Sequence, residues 1–274
     1  MAVTFFSDRL VYLCHHCEEK GAISTEKKEW KPQRTYPKVQ VKDAPASPAI
    51  DWLIRERKID PDVVKQFGVI STRKYFQKLQ READCVGFPF YNETEVYAVK
   101  YRTSGGDKAH TQEGAGGAQS FFGIEKVRPE AKTLVICEGE IDQLSLVTAG
   151  IIDSVSVPNG APMKASEGEV DPTNDRKYGF VWAAKDLLKQ VDRVILAVDM
   201  DGPGQALAEE LARRIGKVKC WQVDWPEDCK DPNDILVKHG ADKLVEVIGD
   251  SKPWPITGLF DVDHYADQVN QIYE

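Results

Sequence analysis

Acidic side chains stand at two points where an apolar, strand-like run of the sequence ends. Glu138 follows the run at 133–137, and Asp199 and Asp201 follow the run at 193–198. In an extended backbone, residues two apart point the same way, so Asp199 and Asp201 share a face. Ligands of open α/β sheets bind just beyond the carboxyl ends of the strands. We therefore predict that Glu138, Asp199 and Asp201 are catalytic residues.

Carboxylates gathered in one place repel each other. Two such charges about 5 Å apart repel by roughly 3 kcal/mol at an effective dielectric constant of about 20. A bare cluster therefore raises its pKa values or takes up a cation. Oxygen-only ligands at a strand edge suit Mg²⁺ or Mn²⁺. Asp142 lies one helical turn after Glu138, so its side chain is expected to face the same site.

Apolar runs and amphipathic patterns alternate in the second half of the sequence. The predicted strands are 133–137, 153–157, 193–198 and 218–224. The predicted helices are 140–150, about 174–190, 204–216 and 233–247. Such alternation implies parallel strands joined by right-handed crossovers. We predict an α/β domain over residues 131–258, with a compact parallel sheet flanked by helices.

Three acidic motifs carry a resemblance to a known family. EGEID at 138–142, DMDGPG at 199–204 and CKDPNDIL at 229–236 resemble the motifs of the TOPRIM domain shared by primases, topoisomerases and some nucleases. SVPNGAP at 156–162 and AEELARRIG at 208–216 are similar to the primase half of phage-type primase-helicases and of Twinkle-like proteins. The resemblance implies a metal-binding set of five carboxylates, Glu138, Asp142, Asp199, Asp201 and Asp231.

A basic hairpin is predicted upstream of the acidic motifs. Residues 87–102 alternate as two strands, with Lys100 and Arg102 on one face and Lys108 after a Ser-Gly-Gly turn. The family resemblance implies a small mixed α+β basic subdomain over residues 49–130, in which these three side chains bind nucleotide phosphates. The alternative is that they are solvated surface charges, which is usual for Lys and Arg.

A Cys-x-x-Cys pair lies near the N-terminus. Cys14 and Cys17 are similar to half of a zinc ribbon, whose tetrahedral site needs four ligands. The sequence contains no second Cys-x-x-Cys, so it supplies two of the ligands and leaves zinc binding open. We predict a partial zinc-ribbon-like segment at 1–24 and a linker at 25–48, which is rich in Lys, Glu, Pro and Ser.

Charge is divided unevenly along the chain. The 274 residues have a net charge of −8, which at first disfavours a nucleic-acid partner. However, residues 1–130 carry 21 Lys and Arg against 18 Asp and Glu, whereas residues 131–274 carry 15 against 26. We expect phosphate contacts from the first half and from bound cations.

Several common classes of protein are disfavoured by the sequence. It has no apolar run long enough to span a bilayer and no signal peptide, so we expect no membrane partner. Four of its cysteines are scattered among apolar segments, which favours reduced thiols. These features predict a cytoplasmic protein. The resemblance to phage-type primase-helicases implies a bacterial or phage-infected cell, with an organelle as the alternative.

The resemblance implies a DNA-directed RNA primase that makes short RNA primers on single-stranded DNA. Ribonucleoside triphosphates would be its substrates and metal-dependent nucleotidyl transfer its reaction. A replicative helicase, fused or separate, is the implied partner, and residues 259–274 are predicted to lead toward it. Two alternatives stay open: a non-catalytic Twinkle-like module that binds single-stranded DNA, and a TOPRIM metal-dependent nuclease.

Overall fold

The chain divides into two compact units, Met1–Thr35 and Tyr36–Glu274. The computed structural model describes residues 2–5, 9–13, 20–24, 48–92, 95–114, 118–172 and 174–256. In the first unit β1 (Ala2–Phe5), β2 (Arg9–Leu13) and β3 (Lys20–Ser24) form an antiparallel sheet in that order.

Three sequence predictions fall partly or wholly outside the described residues. Cys14 and Cys17 lie between β2 and β3, in a stretch that is not described. The same holds for nearly all of the predicted linker at 25–48 and for the predicted tail at 259–274. These assignments therefore stay predictions.

The second unit begins with two short helices, α1 (Pro48–Arg55) and α2 (Pro61–Gln66). The Asp60 carboxylate accepts a hydrogen bond from the backbone N–H of Asp62 at 2.7 Å and caps α2. Proline at the first position of α2 has a φ angle already suited to a helix. The chain therefore breaks between α1 and α2 and starts the second helix directly after Asp60.

An antiparallel sheet follows the two helices. Its strands are β4 (Ile70–Phe76), β5 (Arg81–Asn92), β6 (Glu95–Thr103) and β7 (His110–Glu113), in that order. The predicted hairpin is therefore present as β5 and β6. On β6, Val99 and Tyr101 are buried, whereas Lys100 and Arg102 are half-buried and alternate with them on the other face.

The second sheet contains five strands, β8 (Thr133–Cys137), β9 (Ser154–Ser156), β10 (Arg193–Ala197), β11 (Cys220–Gln222) and β12 (Lys252–Pro253). The spatial order is β12-β11-β10-β8-β9, and every pairing except that of β12 is parallel. The connecting helices are α3 (Glu140–Thr148), α4 (Gly179–Ala183), α5 (Lys185–Gln190), α6 (Gly202–Ile215), α7 (Pro232–His239) and α8 (Ala241–Gly249). The predicted α/β fold, preceded by a mixed subdomain, is confirmed.

Two predicted helices are each divided in the structure. The helix predicted at 233–247 is α7 and α8, because Gly240 between them has a φ angle of 86°. The helix predicted at about 174–190 is α4 and α5, and it starts later than expected. Asp175 accepts hydrogen bonds from Trp182 Nε1 and Arg214 Nε. These bonds hold the residues just before α4 in a loop.

One apolar core extends across both sheets of the second unit. Its buried members include Phe88 of β5, Val135 of β8 and Leu144 of α3. Phe122 packs between them, with its ring centroid 5.9 Å from that of Phe88. Its backbone also exchanges hydrogen bonds of 2.9 and 3.3 Å with Ser156 of β9. The apolar core is continuous across residue 130. The domain boundary predicted there therefore stays a prediction.

Of the helices that the structure describes, none is both long and apolar enough to cross a membrane.

Replacing Phe122 with alanine tests this shared core. Phe122 is 1% exposed and packs against the rings of Phe67, Phe88 and Phe90. Removing its ring should lower the free energy of unfolding by about 3–5 kcal/mol, since little can fill the space. Urea denaturation measures the change. Tyr75→Ala, at a position 51% exposed, is the control and should cost under about 0.5 kcal/mol; equal effects would contradict the packing.

Candidate metal and phosphate site

The edge of the parallel sheet brings two predicted site residues together. Strands β8 and β10 are neighbours, with Cys137 paired to Ala197 at their carboxyl ends. Glu138 is the next residue after β8, and Asp199 comes two residues after β10. Both acidic stretches therefore leave the sheet from adjacent strands.

Helix starts place two more carboxylates at the same edge. Asp142 lies in the first turn of α3, where it accepts a hydrogen bond from the backbone of Asn233. A β-carbon at position 139 would lie 2.7 Å from Oδ2 of Asp142, so Gly139 leaves room for this carboxylate. Asp231 caps α7, and its Oδ1 accepts a hydrogen bond from the N–H of Asp234 at 2.7 Å.

A partly open cavity of about 800 Å³ joins these carboxylates to the basic side chains. Its lining includes the acidic residues Glu138, Asp142, Asp199 and Asp231. Its lining also includes the basic residues Lys100, Arg102 and Lys108. Seven of the side chains predicted from the sequence therefore border one space, with both signs of charge.

Asp201 occupies a different position from the other predicted ligands. It is exposed, is not part of the cavity lining, and caps α6 by accepting a hydrogen bond from Gly204 N–H at 2.8 Å. A β-carbon at position 204 would lie 2.0 Å from the carbonyl oxygen of Asp199, so this tight turn needs glycine. The negative charge of Asp201 nevertheless raises the pKa of Glu138, after the larger effect of burial.

Crowding of like charges perturbs the acidic residues. Burial, followed by the charges of Glu138 and Asp231, raises the pKa of Asp199 to about 7. Burial, followed by the charges of Asp231 and Asp199, raises the pKa of Asp142 well above its usual range. A bound cation would relieve this repulsion.

The donor set fits a hard divalent cation. Oε2 of Glu138 is buried and has no hydrogen-bond partner in the part of the chain that the structure describes. Such an oxygen is costly to bury unless another group, such as a cation, compensates it. The neighbouring donors are carboxylate oxygens, the ligands that Mg²⁺ and Mn²⁺ prefer.

The basic side of the cavity is held by specific contacts. Lys100 forms an ion pair with Glu140, in which the two side chains are only 19% and 9% exposed. The guanidinium of Arg102 lies 5.7 Å from the ring centroid of Trp52. Lys108 is exposed, and its carbonyl oxygen accepts a hydrogen bond from Lys78 Nζ at 2.9 Å. Lys100 and Arg102 are thus set into the cavity wall, whereas Lys108 is open to solvent.

Several residues on this side of the cavity were not predicted from the sequence. Trp52, Arg57 and Asn233 line the cavity. The Asn233 amide donates to the carbonyl oxygen of Arg57 and to Ser145 Oγ, each at 2.9 Å. Its Oδ1 accepts from Arg57 Nη1 at 3.1 Å. Asn233 belongs to the third acidic motif, and its place in that motif could have predicted a role in the site. No feature of the amphipathic pattern around Arg57 distinguishes that residue.

A parallel sheet with carboxylates at neighbouring strand ends is the arrangement of a Toprim-like domain. Residues 135–236 match the family model described as Toprim-like. The model covers the three acidic motifs and the strands that carry them.

Relatives and one solved structure narrow the relationship. Over 212 residues the chain is 37% identical to the Twinkle homolog protein, chloroplastic/mitochondrial, of Arabidopsis thaliana, covering 75% of this chain and 29% of that protein. Over 193 residues it is 36% identical to the primase homolog protein of the same plant, covering 68% of this chain and 56% of that protein. The chain thus spans less than two thirds of either relative.

The primase fragment of the bacteriophage T7 primase-helicase protein has a similar fold. The TM-score is 0.56 at 19% sequence identity, and the match covers 90% of this chain and 93% of that fragment. With the two relatives, this likeness confirms the resemblance to TOPRIM primases of the Twinkle-like type.

The raised pKa of Asp199 predicts a pH-dependent stability in the absence of metal. An unfolded aspartate has a pKa of about 3.9, whereas the folded value is about 7. Between pH values of about 4 and 7, the Asp199 carboxyl therefore holds a proton in the folded state but not in the unfolded state. The free energy of unfolding should fall as pH rises through this range. Asp199→Asn should flatten this fall and stabilise the metal-free protein at pH 8 by about 1–3 kcal/mol.

Urea denaturation in a metal chelator, repeated across this pH range, measures the effect. Asp192→Asn is the matched control, because the Asp192 side chain is exposed and its carboxylate forms a long ion pair of 3.8 Å with Lys132. A control that changes the pH profile as much as Asp199→Asn would contradict the charge-crowding explanation.

Proposed function

We propose that this chain contains the catalytic core of a DNA-directed RNA primase, which joins ribonucleoside triphosphates into short primers on single-stranded DNA. The observation that carries the proposal is one cavity whose lining includes both the predicted carboxylates, Glu138, Asp142, Asp199 and Asp231, and the predicted basic side chains, Lys100, Arg102 and Lys108. Nucleotidyl transfer needs both, since metal ions bind to carboxylates and the triphosphate is anionic. The names of the primase homolog protein and of the T7 primase fragment are consistent with this activity.

The divalent cation, Mg²⁺ or Mn²⁺, would be held by Glu138, Asp142, Asp199 and Asp231. Asp201 would lie at the edge of this metal site. When bound, such a cation lowers the pKa of an attacking 3′-hydroxyl and stabilises charge on the α-phosphate and the leaving pyrophosphate. Glu138 would also accept the hydroxyl proton, and burial raises its pKa above that of an ordinary glutamate, which favours that role.

The basic wall would bind and orient the triphosphate. Lys100, Arg102 and Lys108 supply positive charge on the side of the cavity formed by β6 and the turn after it. Glu140 holds the Lys100 ammonium in place, and Trp52 packs beside Arg102. Orientation of this kind reduces the entropic cost of bringing two substrates together.

A replicative helicase is the proposed partner, a proposal that the name of the T7 primase-helicase protein supports. The Twinkle homolog also favours a second candidate function, a non-catalytic module that binds single-stranded DNA beside a helicase. Cytoplasmic location stays a prediction, because the name of that relative places it in chloroplasts and mitochondria.

Primer synthesis tests the proposed function directly. The chain, incubated with random single-stranded DNA, labelled ribonucleotides and Mg²⁺ or Mn²⁺, should yield short RNA products. Asp199→Ala should abolish them, while Asp192→Ala at the exposed, opposite end of β10 should not. DNA binding without synthesis would favour the second candidate. Metal-dependent DNA cleavage without ribonucleotides would indicate a nuclease instead.

Nucleotide affinity tests the role of Lys100. Replacing Lys100 alone would leave Glu140 buried and unpaired, so the double variant Lys100→Met, Glu140→Gln separates charge from folding. It should raise the apparent nucleotide KM roughly tenfold, equivalent to about 1.4 kcal/mol, because one charge-assisted phosphate contact is lost. Lys185→Met, at an exposed position of α5, is the control. An unchanged KM in the double variant would remove Lys100 from the phosphate site.

A further inference from the structure

A second group of metal-ligand types lies outside the cavity. Asp228 and Cys229 precede α7, and His239 is the last residue of that helix. One ligand atom of each residue lies within 4.8 Å of those of the other two. None of the three lines the cavity described above.

Hydrogen bonds within the chain bring these residues together. The backbone N–H of Cys229 donates to the carbonyl oxygen of Pro226 at 2.9 Å, which closes a turn. Lys238 Nζ donates to the carbonyl oxygen of Asp228 and joins the turn to the end of α7. His239 Nε2 lies 2.8 Å from Oδ2 of Asp228. The three donors are therefore already held near one point.

Burial and donor chemistry distinguish this group from an ordinary surface ion pair. The thiol-bearing residue Cys229 is 3% exposed, whereas the side chains of Asp228 and His239 are 55% and 38% exposed. A ligand could thus enter from solvent and meet the thiol beneath. Sulfur, imidazole nitrogen and carboxylate oxygen together suit Zn²⁺ or a similar transition metal, whereas Mg²⁺ prefers oxygen alone.

We propose that Asp228, Cys229 and His239 form a binding site for a transition-metal ion of the Zn²⁺ class. Three protein ligands leave the fourth position of a tetrahedral site for water. On binding, the Cys229 thiol gives its proton to solvent and the metal takes its place. The ion connects the turn before α7 to the helix's last residue. It thereby braces the segment that carries Asp231, two residues after Cys229.

Cobalt binding to the full chain tests this site independently of primase activity. The background variant is Cys14→Ser, Cys17→Ser, which removes the other candidate thiol ligands. Excess Mg²⁺ occupies the carboxylate cluster, and Co²⁺ bound there by oxygen alone would give no thiolate charge-transfer band. The expected result is one equivalent of Co²⁺ per chain with such a band, which Zn²⁺ displaces.

Single substitutions in that background locate the thiolate. Cys229→Ala should abolish the band, and Cys220→Ala, which removes another buried free thiol, should preserve it. His239→Gln should weaken Co²⁺ binding and shift the spectrum; because His239 is partly exposed, this variant decides the matter even if Cys229→Ala does not fold. Absence of the band in the background variant would overturn the proposal. So would a band that persists in Cys229→Ala, or Co²⁺ binding and a spectrum that are unchanged in His239→Gln.

Discussion

Repulsion between carboxylates at the ends of β8 and β10 is the constraint on which the site depends. The sheet order makes these strands neighbours, so Glu138 and Asp199 come out at the same edge. Burial, followed by the charges of Glu138 and Asp231, raises the pKa of Asp199 to about 7. A folded protein keeps such an arrangement only where another contribution to stability offsets its cost. Here we propose that a divalent cation and an anionic substrate supply that compensation.

The apolar core maintains the distance between the acidic edge and the basic wall. Phe122 packs against aromatic rings of the antiparallel part and bonds through its backbone to β9. Closer to the cavity, Asn233 ties Arg57 to the start of α7, and Glu140 at the start of α3 pairs with Lys100 on β6. These polar links join the two sheets at the cavity, and each leaves a buried group without its partner if broken. The proposed phosphate ligand Lys100 is therefore oriented by Glu140, a residue of the first acidic motif.

Local patterns in the sequence predicted the strands and the acidic edge well. Alternating apolar runs predicted β8 and β10, whereas the pairing of these two strands with each other comes from the structure. The division between α7 and α8 was missed because the apolar pattern continues past Gly240, whose φ angle of 86° ends the first helix. The Lys100–Glu140 and Arg57–Asn233 contacts join residues 40 and 176 positions apart. No local periodicity encodes such contacts, since they depend on how the two sheets pack.

The most direct test of the carboxylate site is to locate a bound ion by anomalous diffraction, using crystals of the chain soaked in Mn²⁺. If Glu138 and Asp199 hold the same cation, an anomalous peak will lie within coordination distance, about 2.2 Å, of carboxylate oxygens of both residues. Replacing Asp199 with asparagine should remove that peak. A peak elsewhere on the chain, with the Glu138 and Asp199 oxygens bonded only to water or protein in saturating Mn²⁺, would contradict the account.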